Sequence, residues 1–130
     1  NKLKTAGDIM LVKNKIPFVN ENEIMKNALK ILNDKKLGFL VVINNQGLNA
    51  GVFTDGDLKR IMQKKRKIDN LKIKLFMTKK PYTVEENTLA TEVLSLMNKK
   101  KITNVCVYKK NNKKKTIGIL HIHNLLSLLK

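Results

Sequence analysis

The chain has 130 residues, a length suited to one domain or to two small ones sharing a core. Apolar residues make up 42%, enough for a core, yet no apolar run approaches the ~20 residues of a membrane-spanning helix and no N-terminal stretch reads as a signal peptide. The net charge of +17 draws polyanions or phosphorylated ligands, but 25 of the 27 basic residues are Lys, and base readers favour the planar fork of Arg.

The charge is also spread, with 13 basic and 6 acidic residues over 1–66 and 14 and 4 over 67–130, so a general lysine bias explains it better than a nucleic-acid surface. Aromatics, at 5%, are too sparse for a single-strand stacking platform. The runs Lys64-Lys65-Arg66-Lys67, Lys99-Lys100-Lys101 and Lys113-Lys114-Lys115 read as solvated helix ends and a loop tip. Because the chain opens on Asn1 rather than Met, it reads as a piece of a longer polypeptide.

In chain order, Pro17-Phe18-Val19-Asn20-Glu21-Asn22 begins a pattern that Pro81-Tyr82-Thr83-Val84-Glu85-Glu86-Asn87 repeats. A helical stripe follows each: Ile24, Ala28, Ile31 and Leu32, then Leu89, Val93, Leu96 and Met97. Asn22 and Thr88 are the expected N-caps. Next come the strands Phe39-Leu40-Val41-Val42-Ile43 and Val105-Cys106-Val107-Tyr108. Asn44-Asn45-Gln46-Gly47 signals a hairpin, and Lys109 to Lys115 a longer, charged turn. Third strands start at Gly51-Val52-Phe53 and Gly118-Ile119-Leu120, and closing helices run from about Asp57 to Met62 and about Leu125 to Leu129.

Each half is therefore β-α-β-β-α, an α+β fold, with residues 1–66 as the first motif and its lead-in and 67–130 as the connector and second motif. Ile68 to Met77 should hold helical turns. A half of this size buries little surface alone, so the expected architecture is a pseudo-twofold pair with a shared core and a ligand cleft at its seam.

The chemically informative segment is Gly51-Val52-Phe53-Thr54-Asp55-Gly56-Asp57-Leu58-Lys59-Arg60. A strand runs into a helix with Thr54 and Asp57 three apart. That spacing is a capping box. It also offers a helix N-terminus to a phosphate and a carboxylate to ribose hydroxyls, and spacing alone leaves both readings open. In the second copy His121 takes the place of Thr54 and Asn124 that of Asp57. His121 and His123 would share a strand face, but two histidines without a third ligand do not make a metal site, and none is expected. Cys106 excludes an internal disulfide and reads as a core hydrophobe, which suits a reducing, cytoplasmic home. Ser95 and Ser127 stand in no nucleophile motif, and Glu85-Glu86 fits the start of a helix. No catalytic residue is expected in this chain.

A repeated β-α-β-β-α unit whose third strand enters Gly-x-x-Thr-x-x-Asp resembles a CBS-domain pair, or Bateman module, from about Asp8 to Leu129. Asp8-Ile9-Met10 and Leu75-Phe76-Met77 resemble the element that opens each copy. Two stretches narrow the likeness. Val52-Phe53-Thr54-Asp55-Gly56-Asp57-Leu58-Lys59-Arg60 and Gly118-Ile119-Leu120-His121-Ile122-His123-Asn124-Leu125-Leu126 resemble segments of arabinose-5-phosphate isomerases. In that family a sugar-isomerase (SIS) domain precedes the pair and interconverts ribulose 5-phosphate and arabinose 5-phosphate for Kdo and lipopolysaccharide synthesis.

The resemblance implies a regulatory and assembly module with no required cofactor. It implies a nucleotide or sugar-nucleotide effector such as CMP-Kdo, an SIS-domain partner, homo-oligomerisation, and neither membrane nor nucleic acid as partner. It would place Asp57 on ribose hydroxyls and Thr54 on phosphate or ribose. Ile16, Pro17 and Val19 would form an apolar wall, and His121, His123 and Asn124 would line a second site. Asn124 where the family has Asp, and Lys59 where it has Arg, are departures. A purely structural dimerisation module with an empty cleft is the alternative.

Overall fold

The computed structural model describes residues 3–64 and 67–128. Lys65 and Arg66 in the first lysine run, and Leu129 in the closing helix, lie outside the described residues. Its elements are α1 (Ala6–Ile9), β1 (Phe18–Asn20), α2 (Met25–Lys35), β2 (Phe39–Ile43), β3 (Asn49–Thr54), α3 (Asp55–Gln63), β4 (Thr83–Glu85), α4 (Ala90–Lys100), β5 (Asn104–Lys109), β6 (Asn112–His121) and α5 (Ile122–Leu128). The chain is α+β and divides into two compact units, Pro17–Pro81 and the remainder, in which the residues up to Ile16 join those from Tyr82 onward.

The Pro17–Pro81 unit is a three-stranded sheet in the order β1-β2-β3. β1 runs parallel to β2, with Phe18 opposite Val41, and β2 antiparallel to β3, with Phe39 opposite Thr54. A parallel pair needs a crossover, and α2 supplies it. Of the stripe read from the sequence, Ala28 and Leu32 pack against Val19, Leu40, Val42 and Phe53 and Ile31 is partly buried beside them, while Ile24 stands at the cap and Met25, which the stripe left out, completes the buried face. α2 ends at Lys36, whose left-handed φ of 56° stops the helix. The Asn44 signal is a true hairpin, in which the Asn44 Oδ1 accepts from the Gln46 and Leu48 N–H groups at 2.9 and 3.0 Å.

The other unit repeats this plan in the order β4-β5-β6, with Thr83 opposite Cys106 and Asn104 opposite His121. Its core joins Val84, Val93, Met97, Val105, Val107, Leu120 and Leu125. Cys106 is buried and forms no disulfide. The expected long turn is shorter than the sequence suggested. Lys109 pairs with Asn112, and Asn111 takes a φ of 69°, which a tight turn requires and Asn tolerates. Lys113, Lys114 and Lys115 therefore lie exposed on β6 and not at a loop tip.

The lead-ins are exchanged between repeats. Residues 3–11 precede the first repeat in sequence but pack on the second. There Gly7 N–H donates to Glu86 O at 2.8 Å, Ala6 N–H to Thr88 O at 2.7 Å, and Leu11 N–H to Ile119 O at 2.9 Å. The connector does the same for the first repeat: Lys74 N–H bonds Glu21 O at 3.0 Å, Ile73 N–H bonds Glu23 O at 2.8 Å, and Thr78 N–H bonds Val52 O at 2.7 Å. The expected helical turns of the connector are the 3-10 segment Ile73–Leu75.

The exchange corrects the N-caps. Ile24 and Leu89, not Asn22 and Thr88, stand at the cap positions, and neither side chain can cap. The orphan N–H groups are satisfied by lead-in carbonyls instead. Met25 N–H donates to Leu71 O at 2.8 Å, Lys26 N–H to Asp69 O at 3.0 Å, and Ala90 N–H to Lys4 O at 2.8 Å.

Two glycines allow these approaches. A Cβ on Gly51 would strike the Thr78 carbonyl oxygen and stand 3.2 Å from its carbon. One on Gly118 would lie 2.6 Å from Met10 Cγ.

Candidate functional site

The first candidate corner is where β3 turns into α3. Thr54 is still extended, with φ −113° and ψ 164°, and caps the helix. Its Oγ1 accepts from the Asp57 N–H at 3.1 Å, and its own N–H donates to Asp57 Oδ2 at 2.9 Å, completing the capping box. Asp57 is only 7% exposed. A buried carboxylate must be paired, and this one is: Arg60 Nη2 donates to Oδ1 in an ion pair, and the Thr78 hydroxyl lies 3.4 Å from both oxygens.

The same sequence pattern recurs at α1. Thr5 N–H donates to Asp8 Oδ2 at 2.9 Å, and Asp8 N–H donates to Thr5 Oγ1 at 3.3 Å. Hydrogen bonds from Thr5 hold the fully exposed Asp8 carboxyl below the ordinary aspartate value. A capping box alone thus needs neither burial nor a cation. Burial, Arg60 and Thr78 are what set the Asp57 corner apart. The sequence reading assigned no role to Thr78, because only the exchanged connector brings it to Asp57.

The second corner is where β6 turns into α5. The sequence reading put His121 and His123 on one strand face. In the structure β6 ends at His121 and His123 is helical, because the chain turns there as it does at Thr54. The rings still meet, stacked with centroids 4.9 Å apart. His121 Nδ1 accepts from the His123 N–H at 3.1 Å, so the imidazole performs the cap that Thr54 performs in the other unit. Burial, and then the neighbouring His123, push the His121 pKa below the ordinary histidine value. Asn124, half-buried, brings no charge.

Of the expected apolar wall, Ile16 and Val19 are each 5% exposed and Pro17 is buried. Val19 belongs to the core of its unit, and the Pro17 carbonyl accepts from Val41 N–H at 2.9 Å. Thr54, Asp57, Pro17 and Val19 lie in one unit; Ile16, His121, His123 and Asn124 lie in the other. Among the described residues there is no group of three or more His, Cys, Asp or Glu able to hold a metal, and no helix long and apolar enough to cross a membrane.

Two β-α-β-β-α units with exchanged lead-ins and a Thr-x-x-Asp corner define a tandem repeat module. The CBS-domain family model matches residues 6–64 and 72–130, and the chain belongs to that family as a tandem CBS pair. It is 36% identical over 129 residues to an uncharacterized protein of Rickettsia prowazekii, covering 97% of this chain and 38% of that protein. It is 34% identical over 124 residues to the arabinose 5-phosphate isomerase KdsD of Escherichia coli, covering 95% of this chain and 37% of the isomerase. The chain thus spans under two-fifths of the length of these relatives. A solved structure described as CBSX2 in complex with AMP superposes with a TM-score of 0.81 at 25% identity, over 97% of this chain and 96% of that one.

Proposed function

We propose that this chain is the regulatory and assembly module of an arabinose-5-phosphate isomerase, and that it binds a nucleotide or a sugar nucleotide such as CMP-Kdo. The isomerisation of ribulose 5-phosphate would belong to an SIS domain elsewhere in the polypeptide, in a cytoplasmic enzyme serving Kdo and lipopolysaccharide synthesis. The likeness to KdsD supports the parent enzyme. AMP in a CBS structure 25% identical to this chain supports the ligand class.

The observation that carries the ligand reading is the buried Asp57 carboxylate, fixed by Thr54 at a strand-to-helix corner. Asp57 would accept from the ribose hydroxyls, with Thr54 on phosphate or ribose. The apolar wall within the same unit would come from Pro17, backed by Val19 from the core. His121, His123 and Asn124 would form the weaker counterpart in the other unit, since a neutral group contributes about 1 kcal/mol where a charged one contributes about 1.5–3.

Calorimetric titration with CMP-Kdo, AMP and ATP tests this. Binding of at least one is expected, with Asp57→Ala weakening it by roughly 10- to 100-fold. No heat at millimolar concentrations of any of them would overturn the ligand claim.

One observation favours a second reading, a ligand-free dimerisation module. Met62 on α3 and Leu126 and Leu128 on α5 are 65%, 46% and 43% exposed, apolar surface that a homo-oligomer would cover. Light scattering with and without nucleotide separates the two, because this reading requires association that ignores ligand.

A further inference from the structure

We propose that Arg60 is a built-in competitor for the diol-binding carboxylate and so makes the Asp57 corner selective for phosphorylated nucleosides over nucleosides. The inference rests on the nucleotide reading above. A carboxylate offers about four lone-pair positions. At Asp57 three donors already approach them: the Thr54 N–H, the Thr78 hydroxyl and the Arg60 guanidinium. A ribose diol brings two further donors, so one resident donor must leave.

The three residents differ in how they are held. The Thr54 N–H is backbone at the end of β3 and cannot withdraw without breaking the cap. The Thr78 backbone is fixed by its own bridge, with Val52 N–H donating to Thr78 O at 2.9 Å and Thr78 N–H donating to Val52 O at 2.7 Å, while its hydroxyl, 3.4 Å from each carboxylate oxygen, is a neutral rotor that can turn its hydrogen aside in place. Arg60 is held by its side chain, which is 67% exposed, and its guanidinium lies over the first turn of α3, with Nη1 3.7 Å from where a Gly56 Cβ would stand. It is the charged donor that can swing away, and the one that loses an ion pair when it does.

Charge then decides which ligands succeed. A nucleoside that displaces Arg60 takes away its anionic partner and returns nothing. A nucleoside phosphate displaces it and supplies a new anion, which the planar guanidinium pairs bidentately. The other corner has no such device, because Asn124 and Ser127 stand at the places of Asp57 and Arg60.

The test compares AMP with adenosine by calorimetry on this chain, on Arg60→Gln and on Arg60→Lys. The native protein should prefer AMP by at least about tenfold. In Arg60→Gln adenosine should bind more tightly and AMP more weakly, collapsing the preference to within about threefold, with Arg60→Lys between. An unchanged AMP-to-adenosine ratio in Arg60→Gln, with both ligands binding, would overturn this role for Arg60 and leave the nucleotide reading standing. Absence of binding by both ligands to all three proteins would overturn this inference, and the nucleotide reading falls with it only if CMP-Kdo and ATP give no heat either.

Discussion

Thr54 and His121 hold the same place in two copies of one unit and perform the same backbone task with different atoms. Thr54 caps α3 through a hydroxyl, and Asp57 returns the bond to the Thr54 N–H. His121 caps α5 through a ring nitrogen, and no carboxylate stands at Asn124 to answer it. The repeat therefore preserves the turn and lets the chemistry at the turn diverge. One corner is an ion-paired, buried carboxylate. The other is a histidine stack in which burial and the neighbouring ring disfavour the protonated form of His121.

The largest effects should come from the glycines that let the lead-ins reach each corner. Gly51→Ala drives a methyl into the Thr78 backbone, which cannot yield without losing its bridge to Val52. Gly118→Ala meets the Met10 side chain, whose outer Cγ and Sδ can swing clear but whose Cβ, 2.9 Å away, is tied to the backbone. Overpacking of this kind costs about 1–3 kcal/mol. In urea denaturation we expect Gly51→Ala at or above the top of that range, Gly118→Ala within it, and recovery of part of the Gly118 loss by adding Met10→Ala. Equal losses with no recovery would mean the two approaches are not governed by these contacts.

Next in size is the contrast between Asp57 and Asn124. Asp57→Ala leaves the Thr54 N–H without its acceptor and should cost about 1–3 kcal/mol, measured by the same denaturation. Asn124→Ala should cost about 0.5 kcal/mol or less, as an ordinary substitution does. Similar costs would show that the two corners carry equal structural loads despite their chemistry.

Restoring the charge is a smaller step. Asn124→Asp places a carboxylate in the first turn of α5 and should raise stability by about 0.3–1 kcal/mol at neutral pH, less at high salt. A salt-independent change would point to some cause other than the helix dipole.

The smallest effect is set by pH. The folded state holds His121 below the ordinary histidine pKa, so as pH falls through that value the unfolded chain takes up a proton that the folded chain refuses. The His121 contribution is whole above the ordinary value and is lost on acidification down to its depressed one. Between pH 7.5 and 5.5 the thermal midpoint should drop further in the native protein than in His121→Asn. Parallel curves would remove His121 as the cause.

The two regions also differ in how far the sequence reached them. The apolar run of β2 is a local pattern and appears where the sequence put it, and of the α2 stripe Ala28, Ile31 and Leu32 fall in the helix while Ile24 stands at its cap. The Thr54–Asp57 box was legible because a capping box is a contact between residues three apart. Arg60 stood in the motif, but its pairing with Asp57 depended on a rotamer that spacing does not fix. Thr78 could not be read at all, since nothing local links it to a residue 21 positions earlier. The lysines of 113–115 were misplaced because one left-handed Asn111 makes a tight turn out of what composition presents as a long loop.

The sequence by itself determined the doubled β-α-β-β-α plan, the strand-to-helix corners and their unlike residues, because periodicity and capping are settled within a few residues of chain. Only the tertiary structure decided which repeat each lead-in serves, and with it the real helix caps, the need for Gly51 and Gly118, and the third partner of Asp57. Those are contacts between segments distant in sequence. Unpaired N–H groups at the starts of α2 and α4 need acceptors, and carbonyls of the exchanged lead-ins supply them.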